Sequence, residues 1–455
     1  MSNFLPNELV KRLNEQEGFD SEAFNKVHEQ GDKITSIRLN SLKQDTVPFE
    51  DVSPVPWCDR GYYLAERPVF TLDPLYHAGC YYVQEASSMF IAHILEEIGL
   101  KNSSIRVLDL CAAPGGKSTL LVSYLGSESL LVSNEVIKSR ANILADNIVR
   151  WGTSNVVVTN NDPSAFSRLP GYFDLLLVDA PCSGSGMFRK DQDTVDEWSL
   201  ANVKLCSDRQ KRILAESLDA LVTDGYLIYS TCSYSREENE DILDWLSTEY
   251  AFETISITLD SDWGIEETQS AKHKAIGYRF YPHKLKGEGF FVAVLQKKER
   301  QLTFNRKKNK FEKNAVPPKV VSNWIEESQN HVQFMHGDHI HIFPKNYEDD
   351  IKWLQHVLYI KQAGTNIGKW TGRELLPSHD LACSVHIKQD LSAQDVTLDV
   401  ALQFLRKESL DKEHFTAVKS GWCLVRYKET NLGWIKILAN RINNYYPKEV
   451  RIMNL

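Results

Sequence analysis

Apolar positions along this chain fall into runs whose spacing changes twice, near residue 80 and again near residue 300. Between those points short, nearly continuous apolar runs recur: IRVLDL at 105–110, LLVSN at 130–134, NVVVT at 155–159, FDLLLVDA at 173–180, GYLIYSTC at 225–232 and FFVAVLQ at 290–296. Runs without polar alternation are strands covered on both faces, and the helical segments between them supply the cover. The pattern predicts an α/β core built on a largely parallel, doubly wound sheet. Ahead of it, a short amphipathic helix from Asn7 to Leu13, a strand from Ile34 to Leu39 and turn-forming Pro48, Pro54, Pro56 and Pro68 predict a small α+β lobe. Behind it, QKKERQLTFNRKKNK is too polar for a core and marks a boundary near 298–315. Short strand-like runs follow from VPPKVV at 316–321 and end in GWCLVRY (421–427) and GWIKIL (433–438), which predicts a mostly β terminal module. The expected division is 1–80 accessory lobe, 81–298 core, 299–385 basic linker and connecting segment, and 386–455 terminal module.

Composition adds little to that picture, and charge more. With 42% hydrophobic and 25% charged residues the chain has the make-up of an ordinary globular protein. No apolar stretch approaches the length of a membrane span, and MSNFLPNELVKR lacks the basic-then-apolar order of a secretion signal, so a cytoplasmic location is expected. Eight cysteines with no Cys-x-x-Cys spacing indicate reduced thiols, with neither a disulfide framework nor a zinc ribbon. A net charge of −9 argues against nucleic-acid binding until its distribution is read. Residues 297–313 hold eight Lys/Arg against two Glu, and 419–455 hold seven against two. Two such basic runs on an acidic chain point toward RNA.

The chemistry concentrates at the ends of the core strands. The strand ending at Asp109 runs into Cys111, Ala112, Ala113, Pro114, Gly115, Gly116 and Lys117, small residues that let a ligand approach the backbone and the start of the next helix. A phosphate-binding loop would need Gly where Cys111 stands, and a dinucleotide site would need G-x-G-x-x-G, so both readings fail. What remains is a turn fitted to a smaller, nucleoside-type ligand, with Glu135 past the second strand and Asp162 past the third as partners for its polar groups. The fourth strand ends in Asp179-Ala180-Pro181-Cys182-Ser183-Gly184, and the fifth in Thr231-Cys232-Ser233. Ligands of open parallel sheets bind beyond the carboxyl ends of the strands, so both thiols face the same crevice as the glycine turn. Cys58, Cys80, Cys206, Cys383 and Cys423 read instead as small core residues. Carbon 5 of a pyrimidine is a poor nucleophile, and methylating it requires a thiolate to add first to carbon 6. Two strand-end cysteines suit that addition, and Asp179 suits a contact to ring nitrogen 3. Arg189 and Lys190 follow as contacts to a target phosphate or base, or else as a solvated loop. His336, His339 and His341 lack the further ligands of a zinc set and read as a polar hairpin, so no metal site is expected.

Taken together, Asp109 through Lys117, Asp179-Ala-Pro-Cys-Ser-Gly-x-Gly186 and Ser230-Thr-Cys232 with Glu237-Glu-Asn-Glu240 closely resemble the RNA cytosine-5 methyltransferases of the Sun/Fmu type. SIRLN at 36–40, HAGCYYVQEASS at 77–88, PSHDLA at 377–382 and GWIKILANRINNYYP at 433–447 resemble its bacterial RsmF-like branch, which modifies small-subunit rRNA, so the resemblance covers essentially the whole chain. It implies a Rossmann-like core and S-adenosyl-L-methionine held by Cys111 to Lys117, Glu135, Asp162 and Asp179. It further implies Cys232 as nucleophile, Cys182 as the residue that resolves the adduct, and a PUA-like RNA-binding module at the C-terminus. Ser185 departs from the Glu common at that place in relatives. The expected partner is structured RNA, small-subunit rRNA or the assembling subunit. A tRNA substrate, amine methylation without an adduct, and a non-catalytic assembly factor are the other readings; the last predicts a degraded cofactor loop or a missing nucleophile, and both are intact.

Overall fold

In the computed structural model the described residues are 5–299 and 317–453, apart from 17 and 417. The apolar runs form the centre of a ten-stranded sheet. Its parallel strands are β1 (Arg106–Asp109), β2 (Leu130–Asn134), β3 (Val156–Thr159), β4 (Phe173–Asp179) and β5 (Leu221–Thr231). Three further strands, β6 (Glu266–Gln269), β7 (Ile276–Phe280) and β8 (Phe290–Lys297), run antiparallel to their neighbours beyond β5. The spatial order β6-β7-β8-β5-β4-β1-β2-β3 changes direction of winding at β1, the place beyond whose strand ends open parallel sheets hold their ligands. Helices α1 (Gly116–Tyr124), α2 (Lys138–Trp151) and α3 (Leu200–Ser217) follow β1, β2 and β4, the crossover connections that parallel strands require. Leu108, Val132, Val157, Leu176 and Tyr229 belong to one apolar layer, and Val107, Leu131, Val158, Leu177 and Ile228 to the other, as expected of strands covered on both faces.

The N-terminal lobe carries helices at Asn7–Asn14 and Ser21–Gln30 and a four-stranded sheet that includes Thr35–Leu39. The described part of the expected connecting segment has more structure than its polar sequence suggests. Strand β9 (Ile360–Ala363) pairs antiparallel with β3 and becomes the last strand of the core sheet. The helix Glu348–Val357 before it buries Ile351 and Leu354 in the same core, and the surrounding strands His331–His336, His339–Pro344, Thr365–Trp370 and Leu375–Pro377 form a sheet of their own. The physical reason is coverage: β3 would otherwise end the sheet as an open row of backbone donors and acceptors. His336 pairs with His339 across a hairpin, and His341 turns inward to the Ala363 carbonyl at 3.0 Å. Among the described residues no group of His, Cys, Asp and Glu is arranged to hold a metal ion.

The terminal module is a four-stranded sheet of Ala393–Asp395, Gly421–Tyr427, Thr430–Ile437 and Ile442–Asn444, covered by the helix Leu398–Leu405. Its Val400, Phe404, Val425 and Ile435 share one core with Ile37, Leu64, Phe70 and Leu75 of the N-terminal lobe, so the two ends of the described chain pack together. Cys58, Cys80, Cys206, Cys383 and Cys423 are all buried. Most of the basic run 297–313 lies outside the described residues.

Candidate active site

The candidate residues stand at the carboxyl ends of the five parallel strands. Asp109 closes β1 fully buried, and its Oδ2 accepts from the Ser118 hydroxyl at 2.6 Å, while Oδ1 has no partner among the described residues. Burial pushes its carboxyl up to about 7, against the opposing pull of the Ser118 hydrogen bond and the Lys117 cation. The turn that follows needs Gly115, whose φ of 112° few side chains adopt and whose backbone approaches Leu144 of α2. Arg140 and Asn147 of α2 brace the turn from behind by donating to the Ala113 and Pro114 carbonyls at 2.8 and 2.7 Å. Cys111 through Lys117 therefore form a braced backbone concavity.

The two flanking acids differ from each other. Glu135 is buried past β2, accepts from the Ile137 amide at 2.9 Å and lies 3.3 Å from Arg140. Asp162 is exposed past β3 and caps the short helix that follows, accepting from the Ser164 amide and hydroxyl at 3.1 and 2.7 Å, which hold its carboxyl below the ordinary range. Fitted against S-adenosyl-L-methionine, the set is suitable: a braced glycine turn, an acceptor buried beyond β2, and the partnerless Asp109 Oδ1 that a ligand donor would satisfy.

On the other side of β1, Asp179 at the end of β4 accepts from Lys117 Nζ and from the Ser230 hydroxyl, both at 2.8 Å. Burial draws the Lys117 ammonium down, but Asp179 outweighs it and the net shift is upward, so the cation persists. The loops after β4 and β5 bring the Cys182 and Cys232 sulfurs to 2.8 Å from each other. The contact with Cys232, together with burial, drives the Cys182 thiol far above its ordinary value, which leaves it a neutral S–H. Lys117 is near enough to interact electrostatically with the Cys232 sulfur.

The residues that hold these thiols in place were not assigned a role from sequence. Glu238 is fully buried and accepts from the Ser183 amide (2.7 Å), the Ser183 hydroxyl (2.6 Å), the Ser233 hydroxyl (2.5 Å) and Gln210 Nε2 (3.3 Å). One carboxylate thus ties the residue after Cys182 to the residue after Cys232. Asn239 adds a second tie, accepting from the Thr231 hydroxyl and donating to the Ser233 carbonyl, each at 2.7 Å. Glu240 forms a buried pair with Arg279 at 2.6 Å, and Arg279 donates to the Tyr234 carbonyl. Ser185, the departure from the family pattern, is buried and accepts from the Tyr234 amide at 2.9 Å. Gly186 donates to the Cys232 carbonyl at 2.7 Å, and a Cβ there would sit 2.4 Å from the Gly289 carbonyl. Arg189 is neither solvated nor aimed at the crevice: it is buried, 3.8 Å from Glu288, and donates to the Asp32 carbonyl. Lys190 is half-buried.

Comparison with known proteins places this geometry in context. A family model described as 16S rRNA methyltransferase RsmB/F matches residues 98–296. Models of the N-terminal domain of 16S rRNA methyltransferase RsmF and of the methyltransferase RsmF PUA domain match 5–86 and 393–452. The chain is 31% identical over 453 residues to the ribosomal RNA small subunit methyltransferase F of Vibrio parahaemolyticus, covering 92% of each. It is 29% identical over 442 residues to that of Aliivibrio salmonicida, covering 91% of this chain and 90% of the relative. Among solved structures, a methyltransferase homolog protein from Pyrococcus horikoshii is similar at 26% identity and a TM-score of 0.53, over 65% of this chain and 99% of that one.

Proposed function

The chain belongs to the RsmB/F family of S-adenosyl-L-methionine-dependent 16S rRNA methyltransferases, and from that premise we propose that it forms 5-methylcytosine in small-subunit rRNA through a covalent adduct with Cys232. The observation that carries the reading is the meeting of Cys182 and Cys232 at 2.8 Å beside the Lys117–Asp179 pair. Amine methylation needs no thiol, and would leave both idle.

Cys232 adds its thiolate to carbon 6 of the target cytosine, which makes carbon 5 nucleophilic. Bound S-adenosyl-L-methionine supplies an electrophilic methyl group, which carbon 5 takes. Water then takes the carbon 5 proton, and the electron pair of that C–H bond restores the ring double bond as the Cys232 sulfur leaves as a thiolate. Ring nitrogen 3 takes a proton from water as the thiolate adds and returns it on elimination; the Asp179 carboxylate favours the addition by accepting a hydrogen bond from that N–H, and Lys117 holds the carboxylate in place. Cys182, kept as a thiol, donates a hydrogen bond to the Cys232 sulfur as that sulfur leaves with its electron pair, which is how it helps to resolve the adduct. Cys111 to Lys117, Glu135, Asp162 and Asp179 hold the cofactor; Asp162 would keep its capping bonds and offer its remaining oxygen.

The target base has to leave its stack to reach the thiol, at a cost of a few kcal/mol that contacts outside the core must offset. The N-terminal lobe (1–80) and the PUA-like module (386–455), flanking the catalytic domain (81–298) and the segment 299–385, are the surfaces for those contacts. RNA, free or within the assembling subunit, is the partner. Among the described residues no helix is long and apolar enough to cross a membrane.

The test is transfer of labelled methyl to small-subunit rRNA by wild type, Cys232→Ala and Cys182→Ala, with denaturing gels for a protein–RNA adduct. Cys232→Ala should abolish transfer and adduct, and Cys182→Ala should accumulate adduct. Methylation by Cys232→Ala would overturn the covalent mechanism.

A further inference from the structure

Behind the cofactor turn, and meeting it at Pro114, lies a separate cavity of about 290 Å³. Its walls are Tyr76 of the N-terminal lobe, Tyr82 of the strand Tyr81–Val83 that follows residue 80 and pairs with Thr35–Leu39 in the lobe's sheet, and Asn147 and Arg150 from α2. Asp109, Glu135, Cys182 and Cys232 take no part in it. The volume is at the small end of ligand sites, the size of a nucleoside fragment rather than of a large cofactor. We propose that this cavity seats one unpaired nucleotide of the substrate RNA, its base against Tyr82 and its phosphate on the Arg150 guanidinium. The inference rests on the reading of the chain as an RNA-modifying enzyme.

Three features support it. The wall chemistry is that of single-stranded RNA recognition, where bases stack on aromatic rings and guanidinium planes. Tyr76 and Tyr82 are half-buried, with ring surface left to offer, whereas Tyr81 between them is buried in the lobe. The Arg150 guanidinium lies over the Tyr76 ring, 4.6 Å from its centroid, donates to Asn147 Oδ1, and interacts electrostatically with Asp146 one turn earlier on α2 without a direct ion pair among the described residues. A guanidinium stacked on a ring, with no direct ion pair to use up its fork of donors, is suited to contact a phosphate.

The site is also built rather than incidental. Gly79 packs so close to the Arg150 backbone that a Cβ would meet its carbonyl at 2.0 Å, which fixes the lobe against α2. Asn147 donates to the Pro114 carbonyl at 2.7 Å and reaches the Tyr82 hydroxyl at 3.4 Å, joining the cavity wall to the cofactor turn. Leu75, Ala78 and Tyr81 from the same stretch of the lobe pack against Phe404 and Ile435 of the terminal module. The cavity therefore stands between the PUA-like module and the cofactor turn.

The experiment measures affinity for a small-subunit rRNA transcript at several salt concentrations, with affinity for S-adenosyl-L-methionine and melting temperature read alongside. Tyr82→Leu should weaken RNA binding on the order of ten-fold, and Tyr82→Phe should restore it, because stacking needs the ring and not the hydroxyl. Arg150→Gln should lower the slope of log affinity against log salt by about 0.7, the share of one single-strand phosphate. Cofactor affinity should stay unchanged in all three. Ultraviolet irradiation of the wild-type complex should cross-link RNA to the peptide holding Tyr76 and Tyr82. Variants that bind RNA like wild type, or that lose cofactor affinity instead, would overturn the proposal; Arg150→Gln decides if Tyr82→Leu unfolds. A wild type that neither binds nor methylates the transcript removes the functional reading and the cavity's role together, whereas full wild-type activity beside unaffected variants removes only the cavity's role.

Discussion

One carboxylate, that of Glu238, joins the loops of the two thiols directly. Glu238 faces only donors: one amide, two hydroxyls and one side-chain amide. Burial raises its carboxyl and those hydrogen bonds pull it back. Glutamine in its place would keep one acceptor oxygen and turn an N–H₂ group toward groups that themselves donate, and each buried polar group so stranded costs roughly 1–3 kcal/mol. Glu238→Gln should therefore slow single-turnover methyl transfer at least ten-fold and lower the melting temperature, with cofactor affinity unchanged because β1 and β2 are untouched. Wild-type transfer rates in that variant would show that the thiols are held by other means. The nucleophile candidates were legible in the sequence because Pro-Cys-Ser-Gly and Ser-Thr-Cys are local signatures at strand ends. The brace was not: Glu238 reaches Ser183 across 55 residues, and nothing local in Glu-Glu-Asn-Glu says which acid turns inward. Arg189 shows the converse, since a basic residue after a glycine loop has the same sequence appearance whether it meets RNA or Glu288.

The strands differ in how visible they were for a related reason. β1 through β5 and β8 lie inside the sheet, so both faces demand apolar residues and the runs stand out. β6 (EETQ) and β9 (IKQA) lie at its two edges, where one side of the strand is open and the sequence carries no run to read. Missing β9 makes the segment after 299 look like a tether, when its described part completes the core. Phe334, Phe343, Ile351, Leu354 and Ile360 belong to the same apolar cluster as Leu108 and Leu176, and Asp350 accepts from Arg106 and Tyr172 at 2.9 and 2.6 Å. A chain ended at residue 315 would expose that cluster and the whole edge of β3. Such a truncation should be recovered mainly as aggregate, with a lowered melting temperature in whatever remains soluble, rather than as a stable domain that has merely lost RNA affinity. Size-exclusion chromatography and thermal melting decide between the two; a monomeric fragment as stable as the full chain would make β9 dispensable.

Across the molecule, the joints between lobes are where titration should act. Burial brings His28, His77, His341, His379 and His386 down to about 4 from an ordinary 6.5. Several sit at contacts between regions: His379 packs 5.1 Å from Tyr446 of the terminal module, and His386 and His331 both reach the core through the Ser154 hydroxyl. These histidines are neutral in the fold where the unfolded chain carries them charged, so unfolding takes up protons between about pH 4 and 6.5 and stability falls as pH falls through that window. Asp109 and Asp380, raised by burial to about 7 and about 6, act with the opposite sign, since they are protonated in the fold and release protons on unfolding. Five histidines brought down to about 4 stand against two carboxyls raised to about 6 or about 7, and smaller shifts divide between His283 and His331 on one side and Asp146, Glu238, Asp241 and Glu288 on the other, so the histidines prevail. The melting temperature should drop steadily from pH 6.5 to 4.5, and His379→Gln should make the drop shallower by about one proton's share. A melting temperature that is flat or rising toward pH 4.5 would mean that the histidines take up protons within the folded state, and that the joints between lobes stay closed when they are charged.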